Sequence, residues 1–239
     1  MPKKVVGGKM QSIIGKRRSG MELEFAKTAH ELKNMLSLIQ GTFQLIENKH
    51  PETREYEYWG QIRDDITQMN TFIEEAGRFN RAGVIEKKRN DLTKLLYEQV
   101  KNYSPVCQMR RINLCMVMGD ASREQAEDCN FDYDKLSTAF SNLLKNAIEA
   151  CEQDANIDIC LNYIEDKWTS WLEVAVINDG AFENADGRDI FEPFVTSKSY
   201  GTGLGLPIVK EIVLAHGGEI EVTSDGQRTR FAVRIPHAI

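Results

Sequence analysis

Three groups of residues have the types and spacing to handle phosphate chemistry. The first is Gly201-Thr202-Gly203-Leu204-Gly205-Leu206-Pro207, in which alternate glycines run straight into an apolar stretch. Glycine lets a backbone approach an anion closely, and a helix N-terminus adds free N–H groups and a positive dipole end. Pro207 suits a first helical turn. The segment lacks both the G-x-G-x-x-G spacing and the Walker G-K-[S/T], so it reads as a phosphate-binding loop of another kind. The second group is Asn142 and Asn146, four apart on one helical face, with Glu149 continuing it. Their oxygens are hard ligands suited to Mg²⁺; the plainer reading is the wet side of an amphipathic helix. The third is His30, which follows an apolar heptad position and so lies on the flank of a helix. An exposed imidazole there is either a nucleophile for a ligand held by another domain or an ordinary surface residue.

The elements that must carry these residues fall into two parts. Phe25, Ala29, Leu32, Leu36, Ile39, Phe43 and Ile46 are spaced 4-3-4-3-4-3, one stripe of a helix. A polar turn with Pro51 follows, then a second stripe: Trp59, Ile62, Ile66, Met69, Ile73 and Ala76. Two such helices pair antiparallel. Alone they bury little, so the pattern predicts a homodimer whose two hairpins form a four-helix bundle. The pattern changes across Phe79–Asn90. Beyond it, helices are expected at Leu92–Tyr103, Asp134–Cys151 and Leu206–His216. Strands are expected at Ile112–Met118, Ile157–Tyr163, Leu172–Val176, Glu219–Thr223 and Arg230–Ile235, the last two joined at Asp225-Gly226. The fold class is therefore a helical hairpin followed by an α/β sandwich, an open mixed sheet with helices on one face. The domain reading is a basic tail at 1–20, the hairpin at 21–88 and the α/β domain at 89–239.

Composition limits the possibilities further. The 239 residues carry a formal charge of −6, which offers no basic surface for a nucleic-acid partner. No run of about 18 apolar residues exists, so no membrane span is expected. Cys107, Cys115, Cys129, Cys151 and Cys160 include no C-x-x-C pair and read as reduced thiols of a cytoplasmic protein.

Five segments, in order, resemble the boxes of the sensor histidine kinases of two-component systems. FAKTAHELKNMLSLIQGTFQLIE (25–47) is similar to the phospho-acceptor box, LSTAFSNLLKNAIEAC (136–151) to the N box and VINDG (176–180) to the adenine-binding box. IFEPFVTSK (190–198) is similar to the phenylalanine box, and GTGLGLPIVKEIVLAHGGEIEV (201–222) to the last glycine box. The resemblance implies a Bergerat-type ATP-binding fold and a kinase that phosphorylates its own His30 from ATP. Glu31 would hydrogen-bond or deprotonate the imidazole, and Asn146 would hold Mg²⁺. Asn142, Lys145, Asn178, Asp179, Gly180, Phe191, Thr196, Lys198, Gly201, Thr202, Gly203, Leu204, Gly205 and Leu206 would line the nucleotide. The phosphoryl group would pass to an aspartate of a response-regulator receiver domain. Glu31-x-x-Asn34 also resembles the family's phosphatase motif, with Asn34 orienting a water. No sensor domain precedes the hairpin in this sequence, so either the sequence is a piece of a longer kinase or its input comes from a separate sensor protein.

The chain departs from the family pattern at several points. Met35 stands where a proline is usual. Asn178 stands at the usual Asp register, leaving either its amide or the Asp179 carboxylate as acceptor for the adenine amino group. Phe182 replaces the second glycine. Only Ser199 and Tyr200 separate Lys198 from the glycine loop. The altered adenine box leaves a rival, a phosphotransfer scaffold of the same architecture with a weak nucleotide site. A serine/threonine kinase of the anti-sigma type lacks the His30 hairpin. An ATP-hydrolysing clamp needs a carboxylate where Asn142 stands.

Overall fold

A computed structural model describes residues 6–165, 169–180, 189–196, 198 and 201–237, with side chains from residue 27 onward. The chain divides into two units, Met1–Arg81 and Ala82–Ile239.

The first unit is a helical hairpin. Helix α1 (Val6–Lys49) is followed by a 3-10 turn at Pro51–Glu55 and by α2 (Trp59–Asn80). No proline interrupts the chain between Val6 and Lys49, and the helix runs through most of the segment read as a tail. Residues 1–5 of that tail lie outside the described residues, as do the basic side chains up to Arg18. Two ion pairs fix the antiparallel arrangement. Arg63 Nη2 reaches Glu47 Oε1 at 2.8 Å near the turn, and Lys33 Nζ reaches Glu74 Oε1 at 2.7 Å at the far end. Phe43 stacks on Trp59 with centroids 4.3 Å apart. Leu36, Phe43 and Ile66 are buried, whereas Leu32, Ile39, Ile46, Ile62 and Met69 of the same stripes stay exposed.

The second unit begins with residues that the sequence reading gave to the hairpin. Ala82 is buried. The Glu86 N–H donates to Asp132 Oδ2 at 2.7 Å, and Lys87 Nζ donates to the His216 carbonyl at 2.9 Å. Strand β1 (Lys88–Asn90) then pairs antiparallel with β3 (Cys129–Phe131). These ties draw the segment onto the second unit and move the boundary from 88 to 81.

Helix α3 (Leu92–Met109) is capped by Asp91 and α5 (Tyr133–Ala150) by Asp132, each accepting from the N–H three residues on. Between them lie β2 (Asn113–Met118) and α4 (Asp120–Ala126). Then come β4 (Asn156–Glu165), β5 (Ser170–Asp179), α6 (Gly205–Ala215), β6 (Glu219–Ser224) and β7 (Arg228–Pro236). The five-stranded sheet has order β2-β4-β5-β7-β6, with only β2 and β4 parallel. Its alternating buried residues, including Ile157, Ile159, Leu161, Leu172, Val174, Phe231 and Val233, form one core with Leu96, Leu136, Phe140, Leu143, Leu144, Val209 and Ile212 of the helices. The opposite face of the sheet mixes polar residues with apolar ones such as Trp171 and Ile177. There the Glu173 carboxylate, its side chain 5% exposed, accepts from Arg230 at 2.6 Å and Arg234 at 2.8 Å. All five cysteines are unpaired, and burial pushes the Cys129 and Cys151 thiols up to about 11.

Candidate nucleotide and phosphoryl-transfer site

Helix α5 buries its apolar stripe on the sheet. Two of its polar residues bond to α3, Ser137 accepting from Gln99 at 2.9 Å and Ser141 meeting the Tyr103 hydroxyl. Asn142 and Asn146 are half-buried on another side, one turn apart, with Glu149 exposed beyond them and Lys145 exposed beside them. Asn142 Nδ2 donates to the Gly205 carbonyl at 3.3 Å, which ties α5 to the first residue of α6.

The glycine loop closes against the preceding segment. Gly203 has φ +67°, and its carbonyl accepts from the Phe194 N–H at 3.0 Å. A Cβ on Gly203 would lie 2.6 Å from the Phe194 carbonyl carbon, and one on Gly201 would lie 2.6 Å from Thr196 Oγ1. Only glycine fits either place. Gly205 has no atom within 4 Å of its missing Cβ. Thr202 Oγ1 accepts from the N–H of buried Leu204, which precedes α6, and Leu206 and Pro207 fill its first turn. Phe191 is fixed from α6. Its N–H donates to Asp189 Oδ1 at 2.9 Å, and Lys210 reaches Asp189 Oδ2 at 3.1 Å while lying over the Phe191 ring. The Phe191 N–H and then the Lys210 ammonium hold the Asp189 carboxyl below its ordinary range. Lys198 donates its backbone N–H to Thr196 Oγ1, and its ammonium contacts both Asn146 Oδ1 at 3.4 Å and the Glu149 carboxylate.

At the end of β5, Asn178 and Asp179 have different surroundings. Asp179 Oδ2 accepts from the Asn156 side chain at 2.7 Å and its backbone N–H at 2.8 Å, while Oδ1 meets Arg228 Nε at 2.9 Å. The Asn156 side-chain bond leads the causes that hold the Asp179 carboxyl below its ordinary range. This carboxylate is committed to fastening β4 and β7. Asn178, 2% exposed, instead donates from Nδ2 to the Asp179 carbonyl at 3.2 Å and lies beside Gly180. Gly180 has φ +129° and donates to the Gln227 carbonyl at 2.7 Å. Phe182, Ser199 and Tyr200 lie outside the described residues.

His30 belongs to the first unit and is exposed on α1. Its Nδ1 is 3.1 Å from Asn34 Nδ2, one turn on, so Asn34 rather than Glu31 is the described partner of the ring. Glu31 is exposed beside it.

The structure thus gathers Asn142, Asn146, Lys198, Phe191 and the glycine loop around α5 and the start of α6. The sequence reading missed Glu149 as a partner of Lys198, although its place on the asparagine face was the available signal. Asn156 and Arg228 carried no signal, being brought to Asp179 by strand pairing alone. The donor set suits a hard divalent cation: Asn146 and Glu149 both turn an oxygen to one cation, the Lys198 ammonium.

Comparison with known proteins agrees with this architecture. Residues 131–239 match the family of histidine kinase-, DNA gyrase B-, and HSP90-like ATPases. The sensory histidine kinase/phosphatase NtrB of Rhodobacter capsulatus is 32% identical over 88% of this chain and 60% of its own length. In fold, full-length ShkA in complex with AMPPNP is similar at a TM-score of 0.73, with 24% identity over 90% of this chain and 46% of that one. ThkA in complex with the response regulator TrrA is similar at 0.65, with 24% identity over 99% of this chain and 68% of that one. The chain spans 41% to 60% of the length of the first curated relatives it matches. No described helix is long and apolar enough to cross a membrane. The chain is thus similar to sensor histidine kinases, and its residues 131–239 match the histidine kinase-, DNA gyrase B- and HSP90-like ATPase family.

Proposed function

We propose that this chain is a protein-histidine kinase that moves the γ-phosphoryl group of ATP to His30 and then to an aspartate of a response-regulator receiver domain. The observation that carries the reading is the convergence of Asn142, Asn146 and Lys198 on the glycine loop within an ATPase-family domain. The loop's N–H groups and Lys198 bind phosphate oxygens. Asn146 holds Mg²⁺, which when bound neutralises charge on those phosphates. Asn178 accepts from the adenine amino group, since Asp179 is already bonded on both oxygens. His30 Nε2 attacks the γ-phosphorus in line. The N–P bond forms as the bond to the β–γ bridging oxygen breaks, ADP leaves with that electron pair, and the ring proton passes to Glu31 or water. The attack needs the Nδ1–H tautomer, which Asn34 receives once its exposed amide turns its oxygen to the ring.

The exposed apolar positions of both hairpin stripes support a homodimeric four-helix bundle. The regulator complex of ThkA supports a receiver-domain partner for this chain. The kinase/phosphatase NtrB supports a second activity, in which Asn34 orients a water on the regulator's phosphoaspartate. Asn34→Ala is then expected to lengthen regulator-phosphate lifetime; an unchanged lifetime removes that reading.

The kinase test is incubation with γ-labelled ATP and Mg²⁺, comparing wild type with His30→Gln. Acid-labile, alkali-stable label that the variant loses is expected. ATP binding in wild type with label that survives in His30→Gln refutes His30 as acceptor. A chain that binds no ATP is the phosphotransfer scaffold instead.

A further inference from the structure

The Lys198 ammonium reaches α5, and the residue that receives it is Glu149. Lys198 is held through its own backbone. Its N–H donates to Thr196 Oγ1 at 3.1 Å, its carbonyl accepts from the Gly201 N–H at 3.2 Å, and Gly201 has no room for a side chain against Thr196. From this anchored position the ammonium lies on the Glu149 carboxylate and 3.4 Å from the Asn146 oxygen. Both members of the ion pair are about half exposed, 48% and 52%, so the contact is weak enough to exchange. A nucleotide entering with a divalent cation brings a second positive charge to Asn146 and new oxyanions within the site. Two cations on one carboxamide oxygen repel, and the phosphates offer the ammonium a stronger acceptor.

We infer that Glu149 is a positioning residue for Lys198: its carboxylate competes with the nucleotide's phosphates for the ammonium and so sets a threshold on nucleotide binding. This rests on the ATP reading of the site. Glu149 sits three residues past Asn146 on the same helix, so the latch and the cation donor move as one piece. Releasing the ammonium is part of the cost of binding phosphate. Removing the carboxylate lowers that cost, and removing Lys198 abolishes the effect.

The experiment is isothermal titration of ATP into the full chain, once in EDTA and once with Mg²⁺. Glu149→Gln is expected to bind ATP in EDTA about two- to fivefold more tightly than wild type, the range of an exposed ion pair. Glu149→Asp is expected to behave like wild type. In a Lys198→Met background, Glu149→Gln is expected to change nothing, which a double-mutant cycle reads directly. An unchanged affinity for Glu149→Gln overturns the inference. So does a gain that persists without Lys198, which would be simple relief of carboxylate–phosphate repulsion. A wild-type chain that binds no ATP in Mg²⁺ refutes the ATP reading itself, an outcome distinct from either of these.

Discussion

Replacing Gly203 by alanine puts a methyl group into space that the backbone of Phe194 and Val195 occupies. The three nearest atoms would be 2.6, 2.7 and 2.8 Å away, and all belong to the main chain, so relief requires the loop itself to shift. Holding a non-glycine residue at φ +67° costs about 1–2 kcal/mol. Overpacking adds about 1–3 kcal/mol, so the bound geometry carries roughly 2–5 kcal/mol of strain. The free protein escapes most of it by releasing the hydrogen bond from the Phe194 N–H to the Gly203 carbonyl, worth about 1 kcal/mol. Tm is therefore expected to move little. Nucleotide must then pull the loop back at a cost of about 1–4 kcal/mol, which at 1.36 kcal/mol per decade is a roughly 5- to 900-fold loss of affinity. Gly205→Ala is the control. A Cβ there meets nothing beyond its own helix within 4 Å, and at the first position of α6 it should leave stability and affinity near wild type. Titration calorimetry with ATP, beside thermal unfolding, measures both. A folded Gly203→Ala that binds within twofold of wild type, or a Gly205→Ala that loses as much, would refute the steric argument.

Other perturbations separate structure from chemistry in the same way. His216, 2% exposed, accepts from the Asp132 N–H at Nε2 and donates from Nδ1 to the Ile212 carbonyl at 2.7 Å. Burial lowers its pKa below 6.5, the Ile212 carbonyl and Asp132 oppose this, and Lys87 adds to it. A depressed pKa means that its share of stability is complete above pH 6.5 and is lost as pH falls below it. Tm followed from pH 8 to pH 5 should decline more steeply in wild type than in His216→Gln, and equal slopes would refute this assignment. Asp179→Ala should lower stability by about 0.5–1.5 kcal/mol, through the lost bonds to Asn156 and Arg228, and change nucleotide affinity little. Asn178→Ala should do the reverse, and denaturant unfolding with ATP titration distinguishes them. Ile39→Glu, at a position 52% exposed within a single hairpin, should convert a dimer to monomers in sedimentation, and an unshifted dimer would move the interface elsewhere.

What could be read in the sequence was what repeats locally. The asparagine face of α5, the glycine run into α6, the alternation of β4 and β5 and the two heptad stripes each declare themselves within a few residues. Strand β1 is Lys-Arg-Asn and has no apolar alternation to announce it; it is a strand because Phe131 and its neighbours lie opposite. The seven residues of α4 are too short for a helical period to register. The choice between Asn178 and Asp179 could not be made from charge, because charge favoured the residue that the fold had already used. That use depends on Asn156 and Arg228, 23 and 49 positions away, which only strand register brings together. The same holds for His216, one of four histidines in the sequence and a buried tie in the fold.

The fastening of residues 82–90 also has a mechanical meaning. Glu86 is tied to Asp132 at the start of α5, Lys87 to His216 at the end of α6, and β1 to β3 just before α5. Tension or torque arriving along the chain at Ala82 is therefore loaded onto the ends of two stiff rods and not onto the sheet. Asn146 lies thirteen residues along α5 from Tyr133, about 20 Å at 1.5 Å per residue. A tilt imposed at the start of α5 is carried along the helix to its asparagine face, so the chain's entry point into this unit is coupled to that face through a single stiff element.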